Sequence, residues 1–325
     1  MSNQAGRSSA RSKLLRQPPS RWQRWCWISA WSAVFCSGLG LARGEDNVFL
    51  LDTPKPQPVE PLSDDAVRES IARGVGFLLA DQNENGSWGS ATSTKELNIY
   101  APVPGAHHAF RAAVTSLAIR ALERTPVAAD KQQETQEAVA LAERWLLAEL
   151  PKVRRANHDA IYNVWAHSFS IEALCDLIDA REARQEPTDD LREAILQQID
   201  RLKRYEAADS GWGYYDFRAH TQRPHASPTS FTTATILIAL KEAEQHGIDV
   251  PKELVHRGRT TLRRMQKPDF TYYYSYSGVT TNQPMRSINR PGGSLGRSQA
   301  CNLALRMWGD EQITDAVSYT HLRAH

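Results

Sequence analysis

The sequence predicts an all-α protein, an array of helical hairpins in which outer and inner helices alternate. Three observations carry that expectation. Helix-period apolar patterns follow one another from residue 64 to residue 308, with no convincing strand-like alternation among them. The helices are of two kinds, and the apolar, small-residue kind recurs about every 60 residues, the period of a stacked supersecondary unit. Glycine-aromatic loops return between them, as Gly86-Ser87-Trp88-Gly89 and as Gly211-Trp212-Gly213.

The N-terminal segment stands apart. The 325 residues carry 39 basic and 37 acidic side chains, a formal net charge of +2, which gives no electrostatic case for a nucleic-acid partner. Arg7, Arg11, Lys13, Arg16, Arg21 and Arg24 precede the uncharged run Trp25–Ala42, and no acid lies among them. A basic n-region, an apolar h-region and the small residues Ala42 and Gly44 predict a secretory signal over residues 1–44, cleaved after Gly44. The run also approaches the ~18–20 residues that cross a bilayer, so an uncleaved anchor is the alternative. Either way the remainder is expected in the periplasm or outside the cell, in contact with membrane only through this leader. Cys26 and Cys36 fall within it, whereas Cys175 and Cys301 sit in apolar helical contexts typical of buried thiols.

Residues 45–62, with Pro54, Pro56, Pro58 and Pro61, form an extended linker. Ser63 and Asp64 then offer an N-cap to the first of eight helices, predicted over 64–81, 108–124, 133–149, 162–183, 189–204, 230–246, 251–265 and 295–308. The second, fourth, sixth and eighth are apolar around most of their circumference and belong inside; the others carry charge on one face and cover them. The acid pairs Asp64-Asp65 and Asp189-Asp190 precede outer helices and suit N-termini. Arg290–Arg297 is glycine-rich and reads as a flexible entry to the last helix, without the Gly-Lys-Ser/Thr of a nucleotide loop. The helical domain is taken as 63–316, because Val317–His325 (VSYTHLRAH) reads as translated sequencing-adapter DNA.

The loops hold the most specific pattern. Arg73-Gly74 is followed by Phe77-Leu78, by Gln82 at the helix end, and by Gly86-Ser87-Trp88. An amide at Gln82 can satisfy backbone groups left open at a helix end and lie against an indole; glycine at 86 permits a sharp turn, and Trp88 can bury a large ring between hairpins. Asp209-Ser210-Gly211-Trp212 repeats the loop, and Arg257-Gly258 through Leu262 to Gln266 repeats the first half. This pattern resembles the QW repeat of prenyltransferase/squalene oxidase proteins, and the chain is similar to squalene cyclase-like members of the terpenoid cyclase/protein prenyltransferase superfamily. The resemblance implies an α/α toroid of helical hairpins. About four hairpins are visible, fewer than close a ring in that superfamily, so a truncated array is expected. It gives Arg73, Gly74, Phe77, Gln82, Gly86, Trp88, Gly211, Trp212 and Gln266 a structural role.

The resemblance also says which chemistry to look for. A cyclase of this superfamily opens an inner helix with Asp-x-Asp-Asp-Thr-Ala, whose acid protonates an alkene or epoxide. The counterpart here is Thr229-Ser230-Phe231-Thr232-Thr233-Ala234, and phenylalanine cannot donate a proton. A protein prenyltransferase holds zinc with Asp-x-Cys, and neither Cys175 nor Cys301 has that neighbour. No metal and no cofactor are therefore expected. The expected function is a non-catalytic scaffold that binds a ligand or partner; the alternatives are a cyclase-like enzyme whose acid motif lies in missing C-terminal sequence, or a carbohydrate-active helical barrel. Loops between outer and inner helices carry a candidate ligand mouth: His107, His108, His158, Trp212, Tyr214, Tyr215, Asp216, His225, Tyr272 and Tyr274. Such a mouth would suit a glycan, while the apolar centre of a ring would suit a lipid or isoprenoid. The same residues could instead cap helices and pack neighbouring loops.

Overall fold

A computed structural model describes residues 60–90, 105–155, 159–216, 224, 228–275 and 287–314. The described helices all belong to one compact unit, Leu62–His325. The leader, the linker up to residue 59 and the segment 317–325 lie outside the described residues.

Eight α-helices and no strand are found among the described residues: α1 (Asp64–Ala80), α2 (Gly105–Arg124), α3 (Gln132–Glu149), α4 (Asn163–Ala183), α5 (Asp189–Arg204), α6 (Ser230–Gln245), α7 (Lys252–Met265) and α8 (Pro291–Met307). Their order and kinds are those expected. The clearest difference is at α8, which begins at Pro291 and not at 295. Pro291 has no N–H to leave unsatisfied and starts the helix at its first position. Gly293 then lies so close to the preceding turn that a β-carbon would sit 2.2 Å from the Ser287 carbonyl oxygen. The glycine-rich stretch is therefore a packed first turn and not a flexible entry.

The helices form two rows. Along the inner row α2 packs on α4, α4 on α6 and α6 on α8, while α3, α5 and α7 lie against α2, α4 and α6 respectively. Small residues let the inner helices approach closely, and the Ser116 and Ser170 hydroxyls meet at 3.0 Å between α2 and α4. Among the described residues no comparable α2–α8 packing closes the row. The middle of the row is the best buried. Val164, Ile171, Leu174 and Leu177 of α4 and Ile236, Leu237 and Leu240 of α6 are inaccessible, and α5 and α7 cover them with Leu191, Ile195, Leu202, Leu254 and Leu262. By contrast α1 buries only Val75 and leaves Val67, Ile71 and Phe77 on the surface. Its local support is the Ser63 side chain, which accepts a hydrogen bond from the Ala66 N–H at 3.2 Å, and two exposed ion pairs worth a few tenths of a kcal/mol. No helix among the described residues is long and apolar enough to cross a membrane.

One buried titratable group ties the middle of the array together. The His167 ring of α4 lies between Asn163 and Gln198, with Nδ1 2.8 Å from Gln198 Oε1 and Nε2 3.2 Å from Asn163 Nδ2. Gln198 Nε2 donates to the Ala194 carbonyl, which leaves its oxygen to accept from Nδ1. Nε2 must then be the unprotonated nitrogen, accepting from Asn163. Burial holds the imidazole pKa down at about 4, opposed by the Gln198 hydrogen bond and aided by the Arg201 charge. The unfolded chain takes up this proton near pH 6.5 and the folded chain only near pH 4, so the fold loses stability across that interval as pH falls. The loss is on the order of 3 kcal/mol, mostly reached at pH 4 and nearly absent above pH 7. Urea midpoints at pH 7, 5.5 and 4 should show it, and His167→Gln should flatten the slope over that window.

Candidate functional site

The loops repeat a set of bonds that set the geometry of one end of the array. The Trp88 indole N–H donates to the Leu78 carbonyl at 2.8 Å, and its backbone N–H donates to Thr115 Oγ1 at 3.0 Å. The Trp212 indole N–H donates to the Leu202 carbonyl at 2.8 Å, and its backbone N–H donates to Thr233 Oγ1 at 3.0 Å. Each ring is thus anchored to the outer helix before it and to the inner helix after it. Gln82 Nε2 donates to the Gly86 carbonyl and, at 2.8 Å, to the Ala138 carbonyl of α3. The same place before Trp212 is held by Glu206, which receives Arg257 of α7 at 2.7 and 2.8 Å. In the third loop Gln266 Nε2 donates to Tyr272 Oη, and that phenol donates to Asn302 of α8. The turn itself needs left-handed backbone two residues before each ring: Gly86 has φ +91°, and Ser210 and Phe270 adopt +78° and +59° at the same place.

Those turns bring the tyrosines over the starts of the inner helices. Ile161 N–H donates to the Tyr214 carbonyl at 3.0 Å and Asp216 N–H to the Asp159 carbonyl at 2.8 Å, which joins the loop before α4 to the loop after α5. Ser230 N–H likewise donates to the Tyr274 carbonyl at 3.0 Å. Tyr162 Oη donates to Tyr215 Oη at 2.7 Å, and the Tyr214 and Tyr274 hydroxyls bond to each other. Burial, then the Tyr274 hydroxyl, raises the Tyr214 pKa well above that of a free phenol, so it stays neutral.

Below the tyrosines the inner helices present rings to one another. Trp165 stacks on Phe231 of α6 with centroids 5.9 Å apart and planes 18° apart, and on Phe169 of its own helix at 6.0 Å and 18°. Phe231 also meets Tyr274 and Tyr214, and Phe110 of α2 meets Tyr162. Trp165, Phe169 and Phe231 all keep part of their surface exposed. On α4 the face carrying Trp165 and Phe169 continues to Glu172 and Asp176; on α6 the face carrying Phe231 continues through Thr235 and Ile238 to Glu242. Those three carboxylates meet two guanidinium groups of α2. Arg120 contacts Glu172, lies 3.1 Å from Asp176 and 3.0 Å from Glu242, and Arg124 lies 2.6 Å from Asp176. The inner face therefore has an aromatic end and an ionic end.

The predicted mouth residues separate into groups. Tyr214, Tyr215 and Tyr274 come together on the inner face. Trp212 and Tyr272 are wholly inaccessible, and Asp216 is 2% exposed and paired with Arg155 at 3.1 Å, so a ligand at the surface reaches none of these three. His107 bonds the Ser90 carbonyl, whereas His108 faces Glu149 and Trp145; the adjacent histidines do not converge. His158 and His225 lie outside the described residues. Cys175 and Cys301 are free thiols whose pKa burial pushes up to about 12, which leaves them inert as nucleophiles. Sequence reasoning passed over Phe110, Tyr162, Trp165 and Phe169. The four-residue spacing of Trp165 and Phe169 was the available signal, and it is absorbed in the general apolarity of α4.

The squalene-hopene cyclase C-terminal domain family matches residues 57–282, more than half of the chain, and the chain belongs to that family. Its pattern of outer and inner helices, without a strand among the described residues, is that of an α/α toroid of helical hairpins. No curated protein and no solved structure matches it.

Proposed function

We propose that this squalene-hopene cyclase C-terminal domain protein is an exported, non-catalytic binding protein that holds an apolar ligand of lipid or isoprenoid kind on the aromatic face of its inner helices. The observation that supports this most is the near-parallel stack Phe169–Trp165–Phe231, partly exposed, whose Phe231 stands where the motif resemblance would put a cyclase's proton donor. Rings supply dispersion and a shaped apolar wall but no acid. The nearest carboxyl groups on that face, Glu172, Asp176 and Glu242, are engaged by Arg120 and Arg124 as hydrogen-bond acceptors. Export is supported by the leader composition alone. A glycan reading is weakened by the burial of Trp212 and Asp216, the ring and carboxylate it would use.

The test measures binding and turnover together. Farnesol and squalene, presented in a mild detergent, should perturb tryptophan fluorescence saturably, and Phe231→Ala and Trp165→Ala should each weaken binding about tenfold. Incubation with squalene should return it unchanged. A cyclised product would end the non-catalytic claim, and binding unaffected by both substitutions would move the ligand elsewhere.

A further inference from the structure

We infer that the ligand of this inner face is an amphiphile with a fixed direction, whose head is a hydrogen-bond donor without negative charge, an alcohol or an amine, seated on the Arg120 network. The inference rests on the ligand-binding reading above and adds the class and orientation of the ligand.

The face is polar at one end only. From Trp165 to Glu172 along α4, and from Phe231 to Glu242 along α6, it spans about 10 and about 16 Å at 1.5 Å per residue. Phe169, Thr235, Ile238 and Leu117 lie along this interval, each partly exposed or open, so a body of low polarity finds no unsatisfied charge there. A wholly apolar molecule that long would abut the ion network and strip water from it without replacing the lost hydrogen bonds, a penalty that favours a polar terminus at that place.

The sign of the terminus follows from the count of charges. Glu172, Asp176 and Glu242 face Arg120 and Arg124, three carboxylates against two guanidinium groups, so the network carries one excess negative charge. Arg120 engages the carboxylate oxygens through Nε, Nη1 and Nη2 and Arg124 through Nε and Nη2, while three carboxylates offer more lone pairs than these donors fill. An incoming donor is accepted; an incoming carboxylate meets like charge and competes for occupied guanidiniums. Glu242 is the carboxylate best placed to receive a head, because it comes from α6 and is less buried than Glu172 and Asp176.

Four ligands of one chain length test this: decanol, decylamine, decyl methyl ether and decanoate, titrated against the whole protein below their critical micelle concentrations. Decanol and decylamine should bind about tenfold more tightly than the ether and the carboxylate. Glu242→Gln, which leaves Arg120 its two α4 partners, should abolish the advantage of decylamine while leaving ether binding intact. Equal binding of all four, or tightest binding of decanoate, overturns the orientation and leaves the apolar site standing. Failure of all four to bind overturns the ligand-binding reading itself. Circular dichroism of the Glu242→Gln protein, compared with the parent, separates lost preference from lost fold.

Discussion

Trp212→Ala should destabilise the folded chain by about 3–5 kcal/mol, the cost of removing a large ring from a core that cannot collapse around the gap. The ring is wholly inaccessible and its surroundings are rigid: a β-carbon on Gly258 would lie 3.1 Å from it, and Gly211 before it is hemmed in by Thr261, Thr233 and Pro228. The substitution also removes the indole N–H bond to the Leu202 carbonyl, which keeps only the Tyr205 N–H at 3.2 Å. Trp212→Phe keeps most of the volume and loses that bond, and should cost about 1–2 kcal/mol. A drop of roughly 10 °C in the thermal midpoint is expected for the alanine variant, since a domain of this size loses about 2–4 °C per kcal/mol. A midpoint within 2 °C of the parent, on this scale, would mean that the ring does not join the hairpins. Trp88→Ala should act more locally, because its hairpin begins with α1, a helix that buries only Val75.

Arg120→Met should cost a comparable amount, about 3–5 kcal/mol, for an electrostatic reason. Glu172 and Asp176 keep only about 5% of their side-chain surface exposed, and Arg120 is the guanidinium that touches Glu172, Asp176 and Glu242 together. Methionine preserves the stem volume, so the loss reports buried Glu172 without its cation and Asp176 and Glu242 left to Arg124 alone. Arg120→Lys retains the charge but has no planar fork to spread over three partners, and should fall between the two. Because α2, α4 and α6 each contribute to this network, chemical denaturation should stay a single transition with a lowered midpoint. An unchanged midpoint for Arg120→Met would show that the pairs add nothing net at this place.

How much of this was legible in the sequence varies with the physics behind each feature. Helix order and kind are readable because they rest on the 3.6-residue period and on the distribution of apolar residues, as in α5, where Leu191, Ile195, Ile199 and Leu202 return to one face. The start of α8 was misplaced because glycine reads as a breaker, whereas Gly293 is there to admit the Ser287 carbonyl. The loop copies were recognised by Trp88 and Trp212, but not that Glu206 takes the glutamine place in the second copy, a substitution that makes sense only with Arg257 across from it. The site was the least legible part. Loop aromatics looked like ligand contacts, yet Trp212 and Tyr272 face inward, and Trp165 and Phe169, on a helix apolar nearly all round, were passed over although part of each is exposed. A single helix does not declare which of its apolar stripes a neighbour will cover.

The anchoring of each ring has a kinetic corollary. Trp88 is bonded to residues 10 and 27 positions away, and Trp212 to residues 10 and 21 positions away, so the bonds that join one hairpin to the next close short loops. Contacts of such low sequence separation form early and quickly, because little chain entropy is lost in making them. Folding can therefore begin at any hairpin and spread outward along the row, with the α4–α6 pair, the most deeply covered, as the natural starting place. Amide hydrogen exchange should show protection highest in α4 and α6 and falling toward α1, a gradient that follows the order of the hairpins.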